Sequence, residues 1–276
     1  MGFHLRKWYL DVVDGRGLAT VMYWVDLRWG ALRVRAAALL MERERGAPLE
    51  RTSLRGGAGP QIGADGPEWS HRGLGVRGWW RREAAPVAFE YPSAVEGGVR
   101  WCAEAPAAAV ALEVGGERRD GRGYAECIQM TVPPWSLGLK VLRWGRFVPD
   151  SGGDFAIWTS WCGDTPLGVA LTPDGAAPLS CADDACAAWE GGQVCLAGRR
   201  VLRDAPLAQG ALARLRHVLG AAPRRFLEAR ERREHAAAVL ERHSAAVPVP
   251  RRGHVIQECV SFPEPDLPAG GAPRPR

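Results

Sequence analysis

The chain has 276 residues, 46% of them hydrophobic and 24% charged, with a net charge of +5. That is enough apolar content to bury a large core, in one big β domain or two smaller ones. Its cations are nearly all Arg, interleaved with Asp and Glu, which argues against the one-sided basic stripe that nucleic-acid binding needs; apolar runs such as 107–112 are too short to span a bilayer.

The opening reads as a β meander. KWYLDVV is followed by the turn signal DGRG, then LATVMYWVDL, a second turn at RWG, and ALRVRAAALL. The N-terminus runs straight into this strand pattern without the apolar stretch and cleavage site of a signal peptide, so a cytoplasmic chain is expected. A Gly-rich loop spans about 55–75. Strand-like pieces return at VAFEY, GVRWC, AAAVALEV and RGYAECIQM, and again at LRWGRFV, DFAIWTSW, TPLGVAL, GQVCLAG and GHVIQECVSF. Trp8 and Trp144 each precede an Asp (Asp14, Asp150) by six residues, a faint echo between the two halves.

Between about 205 and 243 the pattern becomes helical. Asp204 and Pro206 can start a helix carrying Leu212, Leu215 and Leu219, and RRFLEARERREHAAAVLERH reads as a second, solvated helix with Arg and Glu at i, i+4 spacing. The closing PEPDLPAGGAPRPR is Pro/Gly-rich and is expected to be disordered.

Of seven Cys, Cys127, Cys195 and Cys259 fall in strand-like segments, where Cys behaves as a small hydrophobe. Cys181 and Cys186 flank Asp183 and Asp184 but have no second Cys pair and no nearby His, so no metal site and no cofactor are expected. The odd count and the absence of CxxC fit a reducing compartment.

One strand stands out. In GYAECIQM the alternating face is Tyr124, Glu126, Ile128 and Met130, which places a carboxylate among hydrophobes. Two readings are open. Desolvation would raise the pKa of Glu126 and make it a general acid. Alternatively Arg146, in the following Trp-Gly-Arg, would pair with it as an architectural ion pair. Glu258 repeats the pattern in the last strand, on a face with His254, Ile256, Val260 and Phe262; Tyr9, Asp11 and Val13 share a face, as do Met22, Trp24 and Asp26. Twelve Trp residues supply aromatic surface for a core or for a flat, apolar ligand.

Taken together, the KWYLDVVDGRG hairpin, the GYAE strand, PPW, LRWGRF, WTSWCG and the closing GHVIQECVSF resemble the lipocalin-like superfamily of carotenoid 1,2-hydratase, tocopherol cyclase and AttH-type proteins. The chain lacks the aromatic-flanked Asn-Trp-Gly segment of the hydratase branch. The resemblance implies an all-β fold of two calycin-like antiparallel barrels or bent sheets, with a helical insertion before the last strand. We place the first half at 1–117, the second at 118–262 and the tail at 263–276. It further implies binding of a hydrophobic, isoprenoid- or polyketide-like molecule, with acid-assisted hydration or cyclisation at a C=C bond. The alternative is a non-catalytic lipid or pigment carrier, or a structural binding protein. Carried onto this chain, Glu126 is the candidate acid. The candidate ligand-binding residues are Tyr124, Trp135, Trp144, Arg146, Trp158, Trp161, Glu258 and Trp24. Oligomeric state and peripheral membrane contact stay open.

Overall fold

A computed structural model describes residues 2–55, 57–91, 97–207, 220–243 and 250–263. Its fold is all-β, in two sheets. The first holds β1 (Phe3–Asp14), β2 (Ala19–Trp29), β3 (Leu32–Met41), β4 (Leu49–Ser53), β5 (Gln61–Ile62), β6 (Pro67–His71), β7 (Val76–Arg82), β8 (Val87–Tyr91), β9 (Val99–Val114), β10 (Glu117–Arg118) and β11 (Gly121–Met130). It is open and antiparallel, in the order β4-β3-β2-β1-β11-β9-β7-β6-β5, with β8 and β10 also pairing β9.

The second sheet is a closed antiparallel barrel. It consists of β12 (Leu139–Pro149), β13 (Ala156–Gly163), β14 (Leu167–Thr172), β15 (Gly175–Ala182), β16 (Cys186–Trp189), β17 (Gly192–Pro206), β18 (Arg230–Arg242) and β19 (Arg251–Ser261). In each half the first strand pairs with both the second strand and the last, β1 with β2 and β11, β12 with β13 and β19. β11, which ends at Met130, pairs β1 in the first sheet, and the barrel's strands begin at Leu139.

The meander forms as the alternation dictates. On β1, Trp8, Leu10 and Val12 point into the bent first sheet's own core, beside Met22, Trp69 and Trp80. The alternate residues Tyr9 and Val13 point the other way, against the outer wall of the barrel, where they pack with Val148, Ile157 and Ile256. The barrel's own interior is filled by Phe147, Trp158, Trp189, Leu240 and Val255. Trp8 therefore faces into its half while Trp144 faces out of the barrel, so the Trp-to-Asp echo is not a structural equivalence.

Strand β9 carries Pro106, which cannot donate to a ladder. Bulges absorb it: Gly123 pairs Ala108, Ala125 pairs Ala105 and Glu126 pairs Ala103. On its other edge, β9 pairs β8 through Ala103 and β7 from Ala108 onward, so the irregular stretch is where the strand changes partner.

The helical reading of 205–243 is corrected. Asp204 and Pro206 end β17; Leu212, Leu215 and Leu219 lie outside the described residues, as does the tail from 264. The helix α1 spans only Ala221–Glu228, and Arg230–Arg242 is the strand β18. Its Arg/Glu spacing fits a helix, but the same residues also alternate with period two. Glu231, Arg233 and His235 are buried on one face, and Ala238 and Leu240 lie in the barrel core on the other. Ladders to β17 and β19 satisfy the backbone on both edges, which outweighs the modest support of i, i+4 pairs.

Candidate functional site

The two halves meet face to face, and the polar side chains that the alternation forces onto this interface define the candidate site. From the bent sheet come Lys7, Tyr9 and Asp11 on β1, Tyr23 on β2, Trp101 on β9, and Tyr124 and Glu126 on β11. The barrel contributes Trp144 and Arg146 on β12, Glu231 and Arg233 on β18, and Glu258 on β19.

Glu126 is 3% exposed. Its Oε2 accepts two hydrogen bonds, from Trp101 Nε1 at 2.5 Å and from Tyr124 Oη at 2.6 Å. Among the described residues, Oε1 takes none, and no Arg or Lys forms a salt bridge to this carboxylate. Burial pushes the pKa of Glu126 up to about 7, against the lowering effects of the two donors and of Lys7. The aromatic wall is close: the Tyr9 ring lies 5.9 Å from Tyr124 and 4.9 Å from Trp144, and Trp144 lies 5.8 Å from Tyr124.

The ion-pair reading of Arg146 is overturned. Its guanidinium grips Asp11 instead, Nε to Oδ2 at 2.8 Å and Nη2 to Oδ1 at 2.6 Å, and also donates to the His254 carbonyl. Burial raises the Asp11 pKa, and this bidentate cation opposes the rise. Gly123, which opens the GYAE stretch, lets β11 lie close against β1, because a Cβ there would overlap the Asp11 backbone carbonyl.

Glu258 belongs to a separate charge cluster. Arg233, 2% exposed, contacts both Glu258 and Glu231 and stands over the Tyr23 ring at 4.7 Å; the Lys7 ammonium lies over the same ring at 5.0 Å. Arg233 and Lys7 hold Glu258 below the usual carboxylate range despite its burial. Two polar atoms nearby, Tyr23 Oη and Trp144 Nε1, are buried with no hydrogen-bond partner among the described residues.

Four of the candidates therefore converge at the interface: Glu126, Tyr124, Trp144 and Arg146, with Glu258 beside them. Trp161 also reaches this interface, stacking from β13 onto Tyr91 of β8 at 4.6 Å, but the other three do not. Trp24 lies in the bent sheet's own core, with Nε1 donating to the Gly57 carbonyl, and Trp158 fills the barrel interior. Trp135 packs against Phe3 and Trp29 at the edge of the sheets. The physical reason is parity. Trp158 and Trp24 sit on strand faces opposite to those that meet, which a count along one strand cannot show. Trp101, Tyr9, Asp11 and Arg233 were missed as site residues; the alternation in GVRWC was a usable signal for Trp101, whereas the helical reading hid Arg233.

No protein-family model matches the chain, and no curated protein matches it. Solved structures do. Kievitone hydratase from Nectria haematococca is similar over 93% of this chain and 88% of its own, at 11% identity and a TM-score of 0.58. CghA is similar over 94% of this chain and 88% of its own, at 8% identity and a TM-score of 0.56. A putative AttH from Nitrosomonas europaea covers 92% of both chains, at 11% identity and a TM-score of 0.50.

The chain shares the fold of these solved structures. At such identities the likeness is one of architecture, and it is the architecture that the motifs around GYAE and LRWGRF resembled.

Proposed function

We propose that this protein binds a hydrophobic, isoprenoid- or polyketide-like molecule between the bent sheet and the barrel and catalyses acid-assisted hydration or cyclisation at a C=C bond. The observation that carries the reading is the state of Glu126: buried, free of any salt bridge among the described residues, and with its pKa pushed up to about 7 beside Tyr9, Tyr124, Trp101 and Trp144. A carboxyl with a pKa near the working pH holds a proton yet can release it, which is what general acid catalysis requires. The fold shared with a hydratase supports the same class of reaction.

In this scheme Tyr124 and Trp101 anchor Oε2, so the transferable proton sits on Oε1. It moves to one alkene carbon, the π electrons forming the new C–H bond. The cation left on the other carbon faces aromatic π surfaces, of which Tyr9 and Trp144 are the nearest to Glu126's own anchor Tyr124. Water, or a nucleophile within the substrate, adds to that carbon and returns a proton to the Glu126 carboxylate. The two donors to Oε2 stabilise the carboxylate formed in between. Trp158, facing the barrel interior, takes no part.

The test starts with mass spectrometry and absorbance of a solvent extract of protein purified from its native host, to name a ligand class. Turnover of that class by the parent protein and by Glu126→Gln follows. A folded variant that binds the ligand but does not convert it supports the acid role. If parent and variant both bind without converting it, the protein is a carrier.

A further inference from the structure

The Cys181-to-Cys186 stretch, by its sequence, has neither a second Cys pair nor a His. The fold supplies what it lacks. Cys181 lies near the end of β15, Cys186 opens β16, and the turn between them is closed by the Asp183 amide donating to the Cys186 carbonyl at 3.0 Å. On the next strand, Cys195 of β17 stands directly opposite Cys186 in the ladder. Cys181 pairs with Ala188, two residues from Cys186, so all three thiols share one face of the three-stranded patch. Their neighbours Ala187 and Val194, of opposite parity, lie in the barrel core, so the thiols point outward; Cys181 and Cys195 are exposed.

Within this patch the Cys181 Sγ, the Cys186 Sγ and an Asp183 carboxylate oxygen all lie within 4.8 Å of one another. The Asp183 side chain is pre-oriented, because its Oδ1 accepts from the amides of Ala185 at 2.7 Å and Cys186 at 2.8 Å, which leaves Oδ2 turned to Cys181 Sγ at 3.8 Å. Asp184 is otherwise engaged, accepting from Arg143 at 2.8 Å and facing Arg199. Opposite residues of an antiparallel pair have Cβ atoms about 4.5–5.5 Å apart, which sets the Cys195 side chain beside Cys186 on the same face.

We propose that Cys181, Asp183, Cys186 and Cys195 form a binding site for one thiophilic divalent cation of the zinc type, on the outer rim of the barrel. Three thiolates and one carboxylate suit a tetrahedral, borderline-soft ion and disfavour magnesium or calcium, which take oxygen donors. Four protein ligands leave no open position, so the ion's role is to pin β15, β16 and β17 together, separate from the reaction proposed for Glu126. Binding displaces the thiol protons, so it strengthens as pH rises.

The probe is Co2+, whose tetrahedral thiolate complexes absorb in the visible and near ultraviolet. Titrated into the reduced full chain, Co2+ is expected to give tetrahedral d–d bands and thiolate charge transfer saturating at one ion per chain, and Zn2+ to abolish both by displacement. Cys181→Ser and Cys186→Ser should lose the signal. Cys195→Ser should weaken binding by at least the ~10-fold that loss of even an outer partner of a metal ligand costs, with reduced charge transfer. Cys102→Ser, outside the patch, should match the parent, and circular dichroism checks that each variant folds. Absence of tetrahedral bands in the folded parent overturns the proposal, as does a signal that survives Cys181→Ser and Cys186→Ser. So does a Cys195→Ser protein that binds as tightly as the parent.

Discussion

Asp11 and Arg146 tie the bent sheet to the barrel by two parallel hydrogen bonds with neither side chain exposed. Because the guanidinium is committed to Asp11, it does not neutralise Glu126, and the separation of these two buried carboxylates into one paired and one unpaired is what makes the site asymmetric. Removing one partner of such a pair leaves a buried charge. Arg146→Met should cost about 3–5 kcal/mol in urea unfolding, and adding Asp11→Leu should recover most of it. A loss below about 1 kcal/mol would place the pair with weak surface bridges and remove it as the clamp between the halves.

Glu126 gives the fold a pH dependence of definite sign. Its folded pKa, about 7, is above the ordinary 4.5. The folded state therefore holds the proton more tightly, and the stability this lends is complete below pH 4.5 and lost as pH rises through 7. The swing is about 3 kcal/mol, from a shift of roughly 2.5 pH units. Glu126→Gln, which mimics the neutral acid, should lose this slope and be more stable than the parent at pH 8. Parallel parent and variant profiles would show that Glu126 is ionised throughout.

Tyr124 and Trp101 each lower the Glu126 pKa by donating to the carboxylate. Tyr124→Phe should push it further up and carry the high-pH limb of the stability profile with it. Carbon NMR of the labelled carboxyl reads the midpoint directly, and a midpoint that moves down would mean the phenol does not donate to the charged form.

His254 works in the opposite direction. Burial and then the neighbouring His235 push its pKa down to about 4, below the ordinary 6.5. Its contribution is present above 6.5 and lost as pH falls toward 4. His235 bridges it to Glu42, 3.0 Å from Nδ1 to the carboxylate and 3.2 Å from Nε2 to His254 Nδ1. His254→Gln should flatten the acid side of the profile; an unchanged acid side would show that the ring is protonated already at neutral pH.

The Gly of Trp-Gly-Arg is a packing requirement. A Cβ on Gly145 would overlap the Trp158 indole inside the barrel. Gly145→Ala should destabilise by about 1–3 kcal/mol through overpacking, and Trp158→Leu in the same chain should relieve part of that cost. Strictly additive losses in the double variant would mean that the two side chains do not compete for the space.

Much of this protein is settled by local alternation. Period-two patterning and turn residues specify the first-half meander, and the parity of Tyr124, Glu126 and Ile128 places all three on one face, as observed in the packed interface. A carboxylate on an apolar face is legible from the chain alone because side-chain parity in a strand is fixed by backbone geometry. What parity cannot state is which face of one strand meets which face of another far along the chain. Only the folded protein sets Arg146 against Asp11 rather than Glu126, turns Trp158 away from Glu126, and brings Cys195 opposite Cys186. The same limit hid β18. Its sequence satisfies helix and strand spacing alike, and the choice fell to two neighbouring strands that supply its hydrogen bonds and bury Arg233 between Glu231 and Glu258.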